Sequence, residues 1–212
     1  MPRAAAQTDD TAGRRRGRPG YDLESLLVAA ATLFHERGYD GTSMEHLSQR
    51  LGITKSAIYH HVPSKQELLR LAVDRALDGL FAEAAKLPDT GPAVVRLEQL
   101  VRGSVAVLVE RLPFVTLLLR VRGNTPVERA ALARRREFDR VVTDLVTRAV
   151  AEGDLRADLD PATTTRLLFG MVNSITEWYR PRGGTTAAAL ADTVVAVAFE
   201  GVRTRPAVSE VE

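Results

Sequence analysis

Residues 52–69 read GITKSAIYHHVPSKQELL, and two helix starts and a helix stop fall within that one stretch. Gly52 permits a tight turn. Thr54 offers an N-cap hydroxyl for a short helix, and Pro63 stops that helix by pushing its predecessor out of the helical region. Ser64, with Glu67 three residues on, has the form of a capping box and opens the next helix, which turns Leu68, Leu69, Ala72, Val73 and Ala76 inward. Working upstream, TSME (42–45) sets Thr42 as N-cap and Glu45 at N3 of a helix with Met44, Leu47 and Leu51 on one side. Asp22 caps a still earlier helix whose stripe is Leu26, Leu27, Ala30, Leu33 and Phe34, ended by Gly38.

Two short helices joined through LGI, the second of them capped, describe a helix-turn-helix. In that arrangement the N-terminal residues of the second helix, Thr54, Lys55 and Ser56, meet base edges in the major groove, where Lys55 can reach guanine O6/N7. Tyr59 and His60 stand at the rim and can donate to phosphate. Lys65 lies in a first helical turn, where a cation opposes the macrodipole unless an anion shares the site. Thr42 and Ser43, at another helix start, would clamp the opposing strand. Each residue alone has a plainer reading: Thr42 and Ser64 as caps, Tyr59 as half-buried core, His60 and His61 as surface. The histidine pair is a poor metal site, because adjacent helical residues point about 100° apart.

Beyond LPDTGP (87–92) helical periodicity continues over about 92–110, 113–122, 126–152, 161–180 and 186–204. Pro92, Pro113, Pro126 and Pro161 stand near the starts, while Gly153 and Gly183–Gly184 mark ends. No stretch alternates at period two for long, so the spacing predicts an all-α protein. Four regions follow: an arm at 1–20, a three-helix head at 21–67, a larger helical domain at 68–205 and a tail at 206–212.

At 212 residues, 45% hydrophobic and 26% charged, the chain can bury a real core. Cysteine is absent, which removes disulfides, thiol nucleophiles and thiolate metal sites, and the start lacks the apolar run of a signal peptide. A cytoplasmic protein that neither spans nor enters a membrane is the expectation. The net charge of +2 is uneven: residues 1–65 carry 9 Arg or Lys against 7 Asp or Glu, and residues 66–212 carry 20 against 20. Arg14, Arg15, Arg16 and Arg18 crowd into RRRGR, an arm suited to a polyanion, or else a solvated tail. Catalysis is not indicated, since G-x-S-x-G, H-E-x-x-H and P-loop patterns are missing.

The stretch ATLFHERGYDGTSMEHLSQRLGITKSAIYHHVPSKQELL, residues 31–69, resembles the TetR-like one-component transcriptional regulators. The likeness rests on F-x-x-x-G-Y-x-x-T-S-M, then L-G-I-T, then Y-H-H-x-x-S-K-x-x-L. Ser48 and Val62 depart from it, standing where the family usually has Ala and Phe. The resemblance implies a three-helix DNA-binding domain, a six-helix ligand domain, and a homodimer formed through the last two helices on a roughly palindromic double-stranded operator. It also implies repression relieved by a small molecule. By the same likeness Thr42, Tyr59, His60 and Lys65 contact phosphates, Thr54, Lys55 and Ser56 face bases, and the basic arm adds phosphate or minor-groove contacts.

Within AAALADTVVAVAFEGV (187–202), Leu190, Val194, Val197 and Ala198 form a stripe fit for a dimer contact or for an internal core helix. An effector cavity could be lined by Phe114, Leu117, Leu118, Phe138, Phe169, Met171, Asn173, Trp178 and Tyr179, although apolar residues at helical spacing serve equally as plain core. Arginines frame this region: Arg120, Arg122, Arg134, Arg135, Arg136, Arg180 and Arg182. Clustered cations beside apolar helices suit a ligand with an acyl or aryl part and phosphates. RRREFD and GMVNSITEWYRPRGG also resemble stretches of TetR-like regulators that answer to coenzyme A thioesters. An acyl- or aryl-CoA inducer is therefore expected, with no metal and no other cofactor; the alternative is an efflux-pump repressor sensing hydrophobic drugs.

Overall fold

The structure is a computed structural model that describes residues 22–181 and 183–202. Arg14, Arg15, Arg16, Arg18 and Arg182 lie outside the described residues. Helices α1 (Leu23–Arg37), α2 (Met44–Leu51), α3 (Lys55–His61), α4 (Lys65–Ala85), α5 (Ala93–Glu110), α6 (Leu112–Arg120), α7 (Pro126–Ala151), α8 (Pro161–Trp178) and α9 (Ala187–Val202) make up the fold, with no strand among the described residues.

The head forms as its caps dictate. Asp22 accepts from Ser25 N–H at 2.8 Å, Thr54 from Ala57 N–H at 3.2 Å and Ser64 from Glu67 N–H at 3.1 Å. Gly52 takes the left-handed conformation, φ 65°, and its N–H and that of Ile53 close on α2 carbonyls. One cap differs from expectation: Ser43, not Thr42, caps α2, and its capping-box partner is His46 rather than Glu45. The Thr42 hydroxyl is instead buried, donating to Gly38 O at 2.8 Å and Leu33 O at 3.3 Å. The expected box at Ser64 is one-sided, because the Glu67 carboxylate turns to Arg70 at 2.6 Å. A reciprocal box at Thr125 and Glu128, which opens α7, was not expected from the sequence.

Ile58 is fully buried beneath α3, with Val62 and Leu47, so the short helix is anchored by its inner face. The two departures are absorbed locally. Val62 is buried, and the Ser48 hydroxyl donates to Glu45 O at 3.0 Å.

Helix α4 joins the head to the body, packing on α1 at one end and on α5, α6 and α7 further along. Gly79 lets α5 approach it, since a Cβ there would lie 2.8 Å from Val107 Cγ1. Arg134 of α7 grips α4 through Asp74 at 2.6 Å and Asp78 at 2.7 Å, and its guanidinium lies 5.6 Å from the Phe81 ring. Phe81, Phe138 and Phe169 stack edge to face, 5.8 and 5.5 Å between successive centroids, and so tie α4, α7 and α8 into one core.

Helix α9 packs chiefly on α5. Leu190, Val194 and Ala198 are therefore internal, and of the expected contact stripe only Val197 faces outward, 63% exposed. On α8, Leu167 (69%) and Trp178 (56%) are exposed together with Met171.

Candidate nucleic-acid interface and effector cleft

The start of α3 presents Thr54, Lys55 and Ser56 to solvent, and Tyr59 (50% exposed) and His60 continue the same open surface with Ser43 at the start of α2. Lys55 is not a free cation: its ammonium pairs with Glu45 of α2. That contact holds the Glu45 carboxyl below its ordinary range and the Lys55 ammonium above its own. Both partners are about half exposed, so a phosphate or a guanine edge can compete for the lysine at small cost.

Two residues expected to contact phosphate have partners within the head. Thr42 points its hydroxyl inward, as described. The Lys65 ammonium donates to Tyr39 O and Thr42 O, both at 2.9 Å, and lies 4.1 Å from the Tyr39 ring centroid. Carbonyls of the α1–α2 loop thus supply a negative end to a cation in a first helical turn, and an ammonium carries a third N–H beyond these two bonds. Lys65 pins that loop to α4.

The residues expected to line an effector cavity do not gather in one place. Phe114, Leu118 and Phe138 are buried in the core. Trp178 is exposed, contrary to expectation, because α8 ends there and turns its last face outward. Arg120 and Arg122 border a space of about 320 Å³ between the α1–α2 loop and the start of α7. Arg135, Phe169 and Asn173 do come together, in a cleft of about 540 Å³ between α7 and α8.

This cleft is strongly cationic. Arg135, Arg136 and Arg140 line its α7 wall and Arg166 its α8 wall, and none of the four is ion-paired among the described residues. Arg70, Arg134 and Arg156 do each hold a carboxylate, whereas Arg122 and Arg148, like the four of the cleft, have no ion pair among the described residues. Thr143 and Thr165 link the two walls through a 3.1 Å hydroxyl contact. Asp139 is the sole acid of the lining, and burial pushes its carboxyl above the ordinary carboxylate range although Arg135 and Arg166 pull the other way. Sequence reasoning missed Asp139, Arg140, Thr143, Thr165 and Arg166. The available signal was the 135, 136, 139, 140, 143 spacing, which is one helical face, and Arg166 in the second turn of α8.

A small helical head that shows polar groups at the start of its third helix, rooted through a long connector in a larger helical body, is the build of a DNA-binding regulator with a separate sensing domain. The chain belongs to the TetR family of transcriptional regulators. Residues 26–72 match the profile of bacterial regulatory proteins of the tetR family, and residues 90–202 match the tetracyclin repressor-like C-terminal domain. A TetR-family regulator from Streptomyces coelicolor A3, SCO3833, is 55% identical with a TM-score of 0.78, over 86% of this chain and 92% of that one. The transcriptional repressor KstR2 of Mycobacterium tuberculosis is 27% identical over 92% of this chain and 97% of its own length. The crystal structure of AibR in complex with isovaleryl coenzyme A and operator DNA is 27% identical with a TM-score of 0.69, over 83% of this chain and 97% of that one. The chain is a transcriptional regulator of this family, not an enzyme; regulators of this family bind operator DNA and are dimers. Among the described residues no helix is long and apolar enough to cross a membrane.

Proposed function

We propose that the chain represses transcription as a homodimer on a palindromic operator and is released by an acyl- or aryl-CoA thioester seated in the α7–α8 cleft. The observation that carries the ligand class is the set of four unpaired guanidinium groups around one cleft. The set holds four guanidinium groups around one carboxylate, and guanidinium forks match phosphate oxygens. The AibR complex supports the reading by likeness. A sensor of uncharged hydrophobes fits less well, because Phe114, Leu118 and Phe138 are consumed by the core.

Thr54, Lys55 and Ser56 read base edges, with Lys55 exchanging Glu45 for DNA, while Ser43, Tyr59 and His60 contact phosphates. The exposed apolar residues of α8 and α9, Leu167, Met171, Trp178 and Val197, form the dimer contact. Fluorescence anisotropy on the DNA upstream of its own gene, against a scrambled duplex, tests the reading with a panel of acyl- and aryl-CoA thioesters. Specific binding relieved by a thioester is expected. Release by uncharged hydrophobes and by no thioester would overturn the ligand class.

A further inference from the structure

Asp139 has no evident place in a site built only to attract phosphate. It sits at the middle of the α7 wall, with Arg135 and Arg136 one turn before it, Arg140 beside it and Thr143 one turn after, and Arg166 across the cleft on α8. No ion pair ties its carboxylate to any of them among the described residues, so its oxygens remain available to an occupant. An ionised carboxylate only accepts hydrogen bonds, and it repels a bare anion brought alongside.

We infer that Asp139 is a specificity-determining residue of the cleft, admitting phosphate esters that carry a hydroxyl, amine or amide N–H donor near their phosphates and rejecting phosphates that carry none. The four arginines supply attraction to any polyanion, and Asp139 turns that attraction into a choice. A donor facing the carboxylate satisfies it, whereas an oxyanion in the same place meets like charge. Ribose hydroxyls, an adenine amine and pantetheine amides all meet this condition, so the inference rests on and narrows the CoA reading. Inorganic pyrophosphate has no hydroxyl, amine or amide on carbon, and the cleft arginines favour its fully ionised form, which carries no donor.

Calorimetric titration of the full chain with coenzyme A and, separately, with inorganic pyrophosphate tests this on wild type, Asp139→Asn and Asp139→Ala, with helix content checked by circular dichroism. Wild type is expected to bind coenzyme A and to bind pyrophosphate at least tenfold more weakly. Asp139→Asn removes the charge but keeps an acceptor, so it should gain pyrophosphate affinity at least tenfold while coenzyme A stays within a few-fold. Asp139→Ala should gain pyrophosphate and weaken toward coenzyme A. An unchanged ratio of the two affinities, or loss of both ligands together, would overturn the inference, the latter by showing that Asp139 merely positions the arginines. The pyrophosphate arm stands alone. If wild type ignores coenzyme A yet Asp139→Asn gains pyrophosphate, the selective role holds and the CoA reading falls; if Asp139→Asn gains none, the selective role falls.

Discussion

The contacts that Thr42 and Lys65 make inside the head set them apart from Tyr59 and His60, which face solvent. Replacing Lys65 by Met removes two charge-assisted bonds to loop carbonyls and should lower unfolding free energy by about 1.5–3 kcal/mol, read from the urea midpoint. An unchanged midpoint together with a flatter salt dependence of DNA binding would restore Lys65 as a phosphate contact. Thr42→Val should cost about 1 kcal/mol by the same measurement, since its buried hydroxyl satisfies Gly38 O. Tyr59→Phe should leave the midpoint alone and weaken specific and random DNA alike. The sequence made α3's polar order legible, because cap, turn and stop residues act on their near neighbours. It left the one-residue choice between Thr42 and Ser43 open, because both hydroxyls can cap and only the fit of the loop against α1 decides which is buried.

At the level of helices, the electrostatic contacts between neighbours set two expectations. Glu45→Gln should change stability by less than about 1 kcal/mol, because the pair with Lys55 is half exposed. It should also tighten binding to DNA and steepen the salt dependence by up to about 0.9 in log–log slope for each lysine released. A weaker complex with a flatter slope would mean that Glu45 positions Lys55 for the groove. Asp22, Glu45, Glu67, Asp158 and Asp160 all have carboxyls held below their ordinary values, by caps or by partnered cations. The folded state holds their protons less tightly than the unfolded chain, so their stabilisation is present above about pH 4–5 and is lost as pH falls through the lowered values. Asp139 has the opposite sign: its raised carboxyl favours the folded state as pH falls. Acid unfolding followed by circular dichroism should therefore steepen below about pH 4, and Asp139→Asn should leave that steepening in place. Helix positions were legible from prolines, glycines and periodicity, to within a few residues at each end. The cleft was legible only in part, since its walls come from helices far apart in sequence and share a space only after packing. Phe138 and Trp178 show the limit from both sides: apolar spacing alone does not separate core, cavity wall and open face.

At the scale of the whole molecule, the exposed apolar residues of α8 and α9 are the proposed dimer contact. Leu167→Glu combined with Val197→Glu should convert a dimer at micromolar concentration into monomers in sedimentation velocity, and operator affinity should collapse, because two heads must be held about one helical turn apart. Wild-type chains sedimenting as monomers would refute the dimer. The central claim is that an anionic effector in the α7–α8 cleft governs operator release, and an effector needs only about 1–3 kcal/mol of coupling to change operator affinity 5- to 150-fold. Its most direct test is to titrate the preformed operator complex with the active CoA thioester, using wild type and the variant Arg135→Gln with Arg166→Gln, and to follow anisotropy. The variant is expected to bind the operator as tightly as wild type while needing at least tenfold more thioester for release; release at the same thioester concentration in both proteins would contradict the claim.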